Sequence, residues 1–71
     1  MNPIGKEIMA YLTIYFATSD WQTINSIRKR FNIPSRMTVN GETKADIKDE
    51  DLPLLIETAR RGYIQIRNKH Q

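Results

Sequence analysis

The sequence predicts an α+β domain of three helices packed on a small antiparallel sheet, in the order α-α-β-β-α-β. Three observations carry this expectation. Two early stretches space their apolar residues three and four apart, the helical period. A third, leucine-bearing stretch with that period runs into Gly62 and then into an alternating segment. Between them, Asn40-Gly41 is the strongest two-residue hairpin signal in the chain.

The first helix is predicted over residues 1–17. Asn2 is a favoured N-cap and Pro3 suits the first helical position. Ile4, Ile8, Leu12 and Tyr15 form one stripe, with Met9, Tyr11 and Phe16 beside it. So wide a stripe implies burial against at least two other elements. Core packing is the plainer account of Tyr11, Tyr15 and Phe16; one tyrosine exposed as a contact is the alternative.

The second helix is predicted from the box Ser19-Asp20-Trp21-Gln22 to about Phe31. Ser19 would cap it while Gln22 reaches back, with Thr23 as a competing cap. Trp21, Ile24, Ile27 and Phe31 recur at helical spacing and are expected inside. Arg28, Lys29 and Arg30 fall in the last turn, where cations suit the helix dipole. Asn32 tolerates a left-handed conformation and Pro34 forbids continuation.

Met37-Thr38-Val39 is β-prone and is expected to form a hairpin with a return strand from Glu42 to Asp46 or Ile47. Its turn would place both Asn40 and Gly41 at positive φ. A flexible loop is the alternative.

The third helix is predicted over residues 48–61, starting near Asp51. Asp49, Glu50 and Asp51 crowd the favourable end of its dipole, and Pro53 belongs in a first turn. Leu52, Leu55, Ile56 and Ala59 would be its buried stripe. Gly62 stops it. Residues 63–67 alternate, so Ile64 and Ile66 face one way, as in a half-buried strand. Residues 67–71 are expected to be a flexible polar tail.

Length and composition bound the rest. Seventy-one residues make a single domain that buries only about 60% of its unfolded surface. The absence of cysteine removes disulfides and thiolate metal sites. No apolar run approaches the roughly 18 residues needed to cross a bilayer. The N-terminus reads as an amphipathic helix, not a signal peptide, so a cytoplasmic protein is expected.

Enzyme chemistry has no support. His70 is the only histidine and sits at the chain end. No nucleophile elbow, phosphate-cradling glycine loop or metal-ligand set is present. Asp46, Asp49, Glu50 and Asp51 lack calcium-loop spacing, and a helix start already explains the last three. No cofactor, metal or small-molecule substrate is expected.

A net charge of +3 permits an anionic partner such as DNA, although solubility alone also explains it. The order of an amphipathic helix, then TINSIRKRFNI, then a helix running into ARRGYIQIR, resembles the winged-helix branch of helix-turn-helix proteins. That resemblance implies a winged-helix-like frame and DNA binding, and covers about half the chain. In that family the third helix enters the major groove. Here it would begin with Asp49, Glu50 and Asp51, which oppose phosphates. The cations expected to contact DNA are therefore Arg28, Lys29, Arg30, Arg36 and Lys44, from the second helix and the hairpin, with Asn40-Gly41 as a displaced wing. Arg60, Arg61, Arg67 and Lys69 form a second basic group; dipole compensation is the better account of Arg60 and Arg61.

The expected function is thus a non-catalytic DNA-binding or transcription-associated protein. Chains of this style resemble accessory proteins of phages or mobile elements. The competing class is a protein-interaction module. Acids at one helix end, cations elsewhere and open sheet edges suit a host protein or a second copy, in a homodimer.

Overall fold

The computed structural model describes residues 9–67. It is α+β, with two helices and a three-stranded antiparallel sheet rather than three helices. The chain runs through strand β1 (Met9–Phe16), helix α1 (Trp21–Phe31), strand β2 (Glu42–Lys48), a 3₁₀ turn (Asp49–Asp51), helix α2 (Leu52–Arg60) and strand β3 (Ile64–Ile66). The predicted order α-α-β-β-α-β and its winged-helix-like frame are corrected accordingly. The start expected at Asn2-Pro3, the stripe residues Ile4 and Ile8, and the tail beyond Arg67 lie outside the described residues.

The largest correction is β1, which replaces the described part of the first predicted helix. Met9–Phe16 reads MAYLTIYF, apolar or aromatic at nearly every position. Such a run satisfies both the helical and the strand period, so periodicity does not decide it. Composition does: Tyr, Thr, Ile, Tyr and Phe are strand formers that lose side-chain freedom in a helix. The strand then alternates. Ile14 and Phe16 are buried, whereas Met9 and Tyr11 are exposed.

β1 is the central strand of the sheet order β2-β1-β3. It pairs with β2 along seven positions, including Tyr11 with Asp46, Thr13 with Lys44 and Tyr15 with Glu42. It pairs with β3 through Ile14–Ile66, Tyr15–Gln65 and Phe16–Ile64. The predicted strand Met37–Thr38–Val39 does not form, and Val39 is fully exposed. The turn itself is present: Gly41 N–H donates to the Thr38 carbonyl at 2.9 Å and Thr38 N–H to the Glu42 carbonyl at 2.8 Å. It is a three-residue loop with only Gly41 left-handed, at φ +79°, and not the predicted pair of positive angles. The return strand therefore joins β1, a longer partner than Met37–Val39.

α1 keeps three of its four predicted stripe residues and its predicted stop. Ile24, Ile27 and Phe31 are buried, and Asn32 is left-handed at φ +59°. Its cap differs: the Asp20 carboxylate, not Ser19, accepts from Thr23 N–H at 3.1 Å. Trp21, expected inside, is the first residue of α1 and is 61% exposed. α2 begins after the 3₁₀ turn and ends before Gly62, whose φ is +92°. Leu55 is fully buried, while Ile56 is 49% exposed and is removed from the predicted stripe.

Ile14, Ile47, Leu55 and Ile64 form the centre of one core, with Ile24, Ile27, Phe31 and Ile33 around them. Both helices thus cover one face of the sheet. The opposite face carries Tyr11, Tyr15, Lys44, Asp46 and Arg67 without a covering layer among the described residues.

Candidate nucleic-acid interface

The five cations singled out from sequence do not meet at one point. Arg28 is half-buried against rings, its guanidinium 5.3 Å from the Phe16 centroid and 5.7 Å from the Trp21 centroid. Its Nη2 donates a long bond of 3.5 Å to the Ser35 carbonyl, and its Nε is buried without a partner. Arg30 is paired with Asp51 at 3.3 Å. That pair accounts for one of the three acids at the third-helix start.

Lys29, Arg36 and Lys44 are exposed. They have no ion-pair partner among the described residues. The other basic group is largely closed: Arg60 and Arg61 both pair with Glu57 at 3.3 Å, and Arg67 pairs with Glu42 at 3.3 Å. The unengaged cations therefore lie along the β2 flank. Arg36 and Lys44 line one cleft of 340 Å³ there, together with Tyr11, Met37 and Glu42. Lys29 lines a second depression at the far end of β2, with Lys48 and Met9.

Local structure holds Arg36 in place. Thr43 is buried, and its hydroxyl donates to the Arg36 carbonyl at 2.8 Å. The loop 33–41 is pinned further by Thr38, whose hydroxyl accepts from Asn40 N–H at 3.2 Å and Glu42 N–H at 3.3 Å. A buried hydroxyl that donates to backbone fixes a segment that would otherwise swing away from the sheet. Lys44 is placed by strand alternation, since Thr43 and Ala45 point inward on either side of it.

Tyr11 is the residue missed as a site member. It is 64% exposed on the open face, beside the Arg36–Lys44 cleft. Reading Met9–Phe16 as a helix placed it in the core. The alternation Ala10, Leu12, Ile14, Phe16 against Tyr11, Thr13, Tyr15 was the available signal. Met37, 44% exposed, adds an apolar wall to the same cleft.

A different opening lies between the helices, 520 Å³ in volume and lined by Ile27, Leu54, Glu57, Arg61 and Tyr63 among others. Asp20 borders it. The Thr23 hydroxyl, and then the Thr23 backbone N–H, hold the Asp20 carboxyl below the usual carboxylate range. Among the described residues no group of three or more His, Cys, Asp or Glu is placed to hold a metal ion. No helix there is long and apolar enough to cross a membrane.

The chemistry available on the β2 flank is charge neutralisation by Lys29, Arg36 and Lys44 and π-face contact by Tyr11. Comparison of the chain with protein-family models, with curated proteins and with solved structures gives no match.

Proposed function

We propose that this chain is a small non-catalytic DNA-binding protein, associated with transcription or another step that handles DNA, and that the β2 flank is its contact surface. One observation carries the reading. Lys29, Arg36 and Lys44, exposed and without carboxylate partners among the described residues, line two depressions along β2, and Tyr11 stands exposed beside two of them. Cations already closed into ion pairs release less on meeting phosphate than free ones do, because a pair must first be broken. Arg36 and Lys44 therefore dominate the expected contact, with Lys29 next. Arg28 acts from behind as a packing group, and Arg30, half-exposed but paired with Asp51, contributes less than the unpaired cations.

The test is a titration of labelled DNA, duplex and single-stranded, at about 50 and 200 mM salt. Binding should weaken steeply with salt. The double substitution Arg36→Ala, Lys44→Ala should flatten the logarithmic salt slope by roughly 1.4 to 1.8, at 0.7 to 0.9 per phosphate contact. No binding at low salt, or a slope unmoved by the double substitution, rejects the reading.

A second reading has its own observation. Leu54 and Tyr63, each 43% exposed, flank the opening between α1 and α2, which suits a protein-binding module or self-association. Sedimentation with Leu54→Glu, Tyr63→Ser would move if copies associate there, and a monomer unaffected by concentration would exclude the dimer.

A further inference from the structure

We infer that the outer edge of β2 is the seam of a homodimer, in which two copies pair β2 with β2 antiparallel about a two-fold axis at Ala45. The inference needs no part of the nucleic-acid reading, and its surface is not the opening between the helices.

The first observation is where the backbone of β2 points. Glu42 N–H donates to the Thr38 hydroxyl, and Glu42 C=O accepts from Thr38 N–H, so both face away from β1. Thr13, across from Lys44 in the β1–β2 register, turns its C=O to Arg67 N–H on the β3 side, which agrees. Along a strand, every second residue sends its N–H and C=O to the same edge. Those of Lys44 and Asp46 therefore also point outward, where neither has a hydrogen-bond partner among the described residues. The preceding loop does not close the edge at Lys44: its Arg36 and Met37 line a cleft of 340 Å³ with that residue. Unpaired edge groups of this kind are a template for another strand.

The second observation is charge, and it names the occupant. The side chains on the open face of β2 read Glu42, Lys44, Asp46, Lys48, alternating in sign. Across β1, Lys44 faces Thr13 and Asp46 faces Tyr11, so that ladder gives neither an opposite charge. Pairing about Ala45 sets Lys44 opposite Asp46 of the second copy, and Asp46 opposite its Lys44. A two-fold axis makes this attraction twice. The two neighbouring registers that keep the same faces together are repulsive. One sets Lys44 against Lys44 and Glu42 against Asp46; the other sets Asp46 against Asp46 and Lys44 against Lys48. Charges on an edge usually block pairing. These admit a second copy of the same strand in one alignment.

The seam is short. Glu42 stays with the Thr38 turn and with Arg67, so Lys44 and Asp46 carry the intermolecular ladder. So small a contact makes a weak, concentration-dependent dimer. Lys44 cannot fully meet a phosphate and the second copy's Asp46 at once, so the experiment is run without nucleic acid, and its failure leaves the DNA titration untouched.

The experiment is sedimentation of the full chain from about 10 µM to 1 mM, with amide hydrogen exchange at both ends of the range. A monomer–dimer equilibrium is expected, with the Lys44 and Asp46 amides exchanging more slowly at high concentration. Lys44→Glu and Asp46→Lys each turn both attractive pairs repulsive and should weaken the dimer by roughly 5- to 100-fold. An equimolar mixture of the two variants restores opposite charges at both places, so it should associate about as tightly as the parent. Both positions are exposed, and unchanged circular dichroism verifies that the variants fold. A monomer across the range, exchange at Lys44 and Asp46 that ignores concentration, or a mixture no tighter than its separate components overturns the proposal. So does a dimer that Leu54→Glu, Tyr63→Ser abolishes while Lys44→Glu leaves it intact.

Discussion

The guanidinium of Arg67 lies 3.9 Å from the centroid of the Tyr15 ring, and its Nη1 reaches the Glu42 carboxylate at 3.3 Å. Those three residues come from the residue after β3, from β1 and from β2. They form a strap across the open face of the sheet, where no helix packs among the described residues. Arg67 Nε also donates to Gln65 Oε1 at 2.9 Å, which orients the guanidinium plane.

This strap should be measurable. A double-mutant cycle with Arg67→Met and Tyr15→Leu in urea unfolding should return a coupling of about 0.5 to 1 kcal/mol, the range for a cation–π pair near solvent. Arg67→Lys should lose part of it, because an ammonium does not reproduce the flat, forked contact. A coupling of zero would mean that the face is held by its backbone ladder alone.

The core prediction contrasts adjacent residues of α2. Leu55 is fully buried and Ile56 is 49% exposed. Leu55→Ala should cost about 2 to 5 kcal/mol, most of the stability of so small a domain. Ile56→Ala should stay within about 0.5 kcal/mol. Chemical denaturation of both variants checks the pair; similar costs would show that the helix is rotated from its described position.

Asp20 supplies a pH prediction. Its folded pKa is depressed by the Thr23 hydroxyl and then by the Thr23 N–H, so the charged cap stabilises the folded state. That contribution is fully present above the usual aspartate range and is lost as pH falls through the lower folded value. Asp20→Asn keeps an acceptor but no charge. The melting temperatures of parent and variant should differ at neutral pH and converge in acid. A difference that persists unchanged at low pH would assign the effect to packing.

Much of the fold was legible in local signals. Ile24, Ile27 and Phe31 are spaced for one helix face, and Asn32 closes that helix because it tolerates positive φ. Gly62 likewise ends α2 and hands the chain to β3. These outcomes depend on groups within a few residues of each other. Met9–Phe16 was not legible in the same way, since its apolar residues fit two periods at once. Of the candidate site, Arg36 and Lys44 were visible as cations, but Tyr11 was hidden by the helical reading, and the closure of Arg30 and Arg67 by Asp51 and Glu42 joins residues far apart in the chain.

Local chemistry alone settled where α1 and α2 lie, where each stops, and that a strand follows Gly62. Tertiary structure decided that the first apolar run is the middle strand, that Glu42–Lys48 pairs with it, and which cations remain unengaged. The physical reason is backbone pairing: an extended Met9–Phe16 gains two neighbours for its N–H and carbonyl groups and sends Tyr11 outward. A helix there would leave β2 and β3 without the strand that joins them.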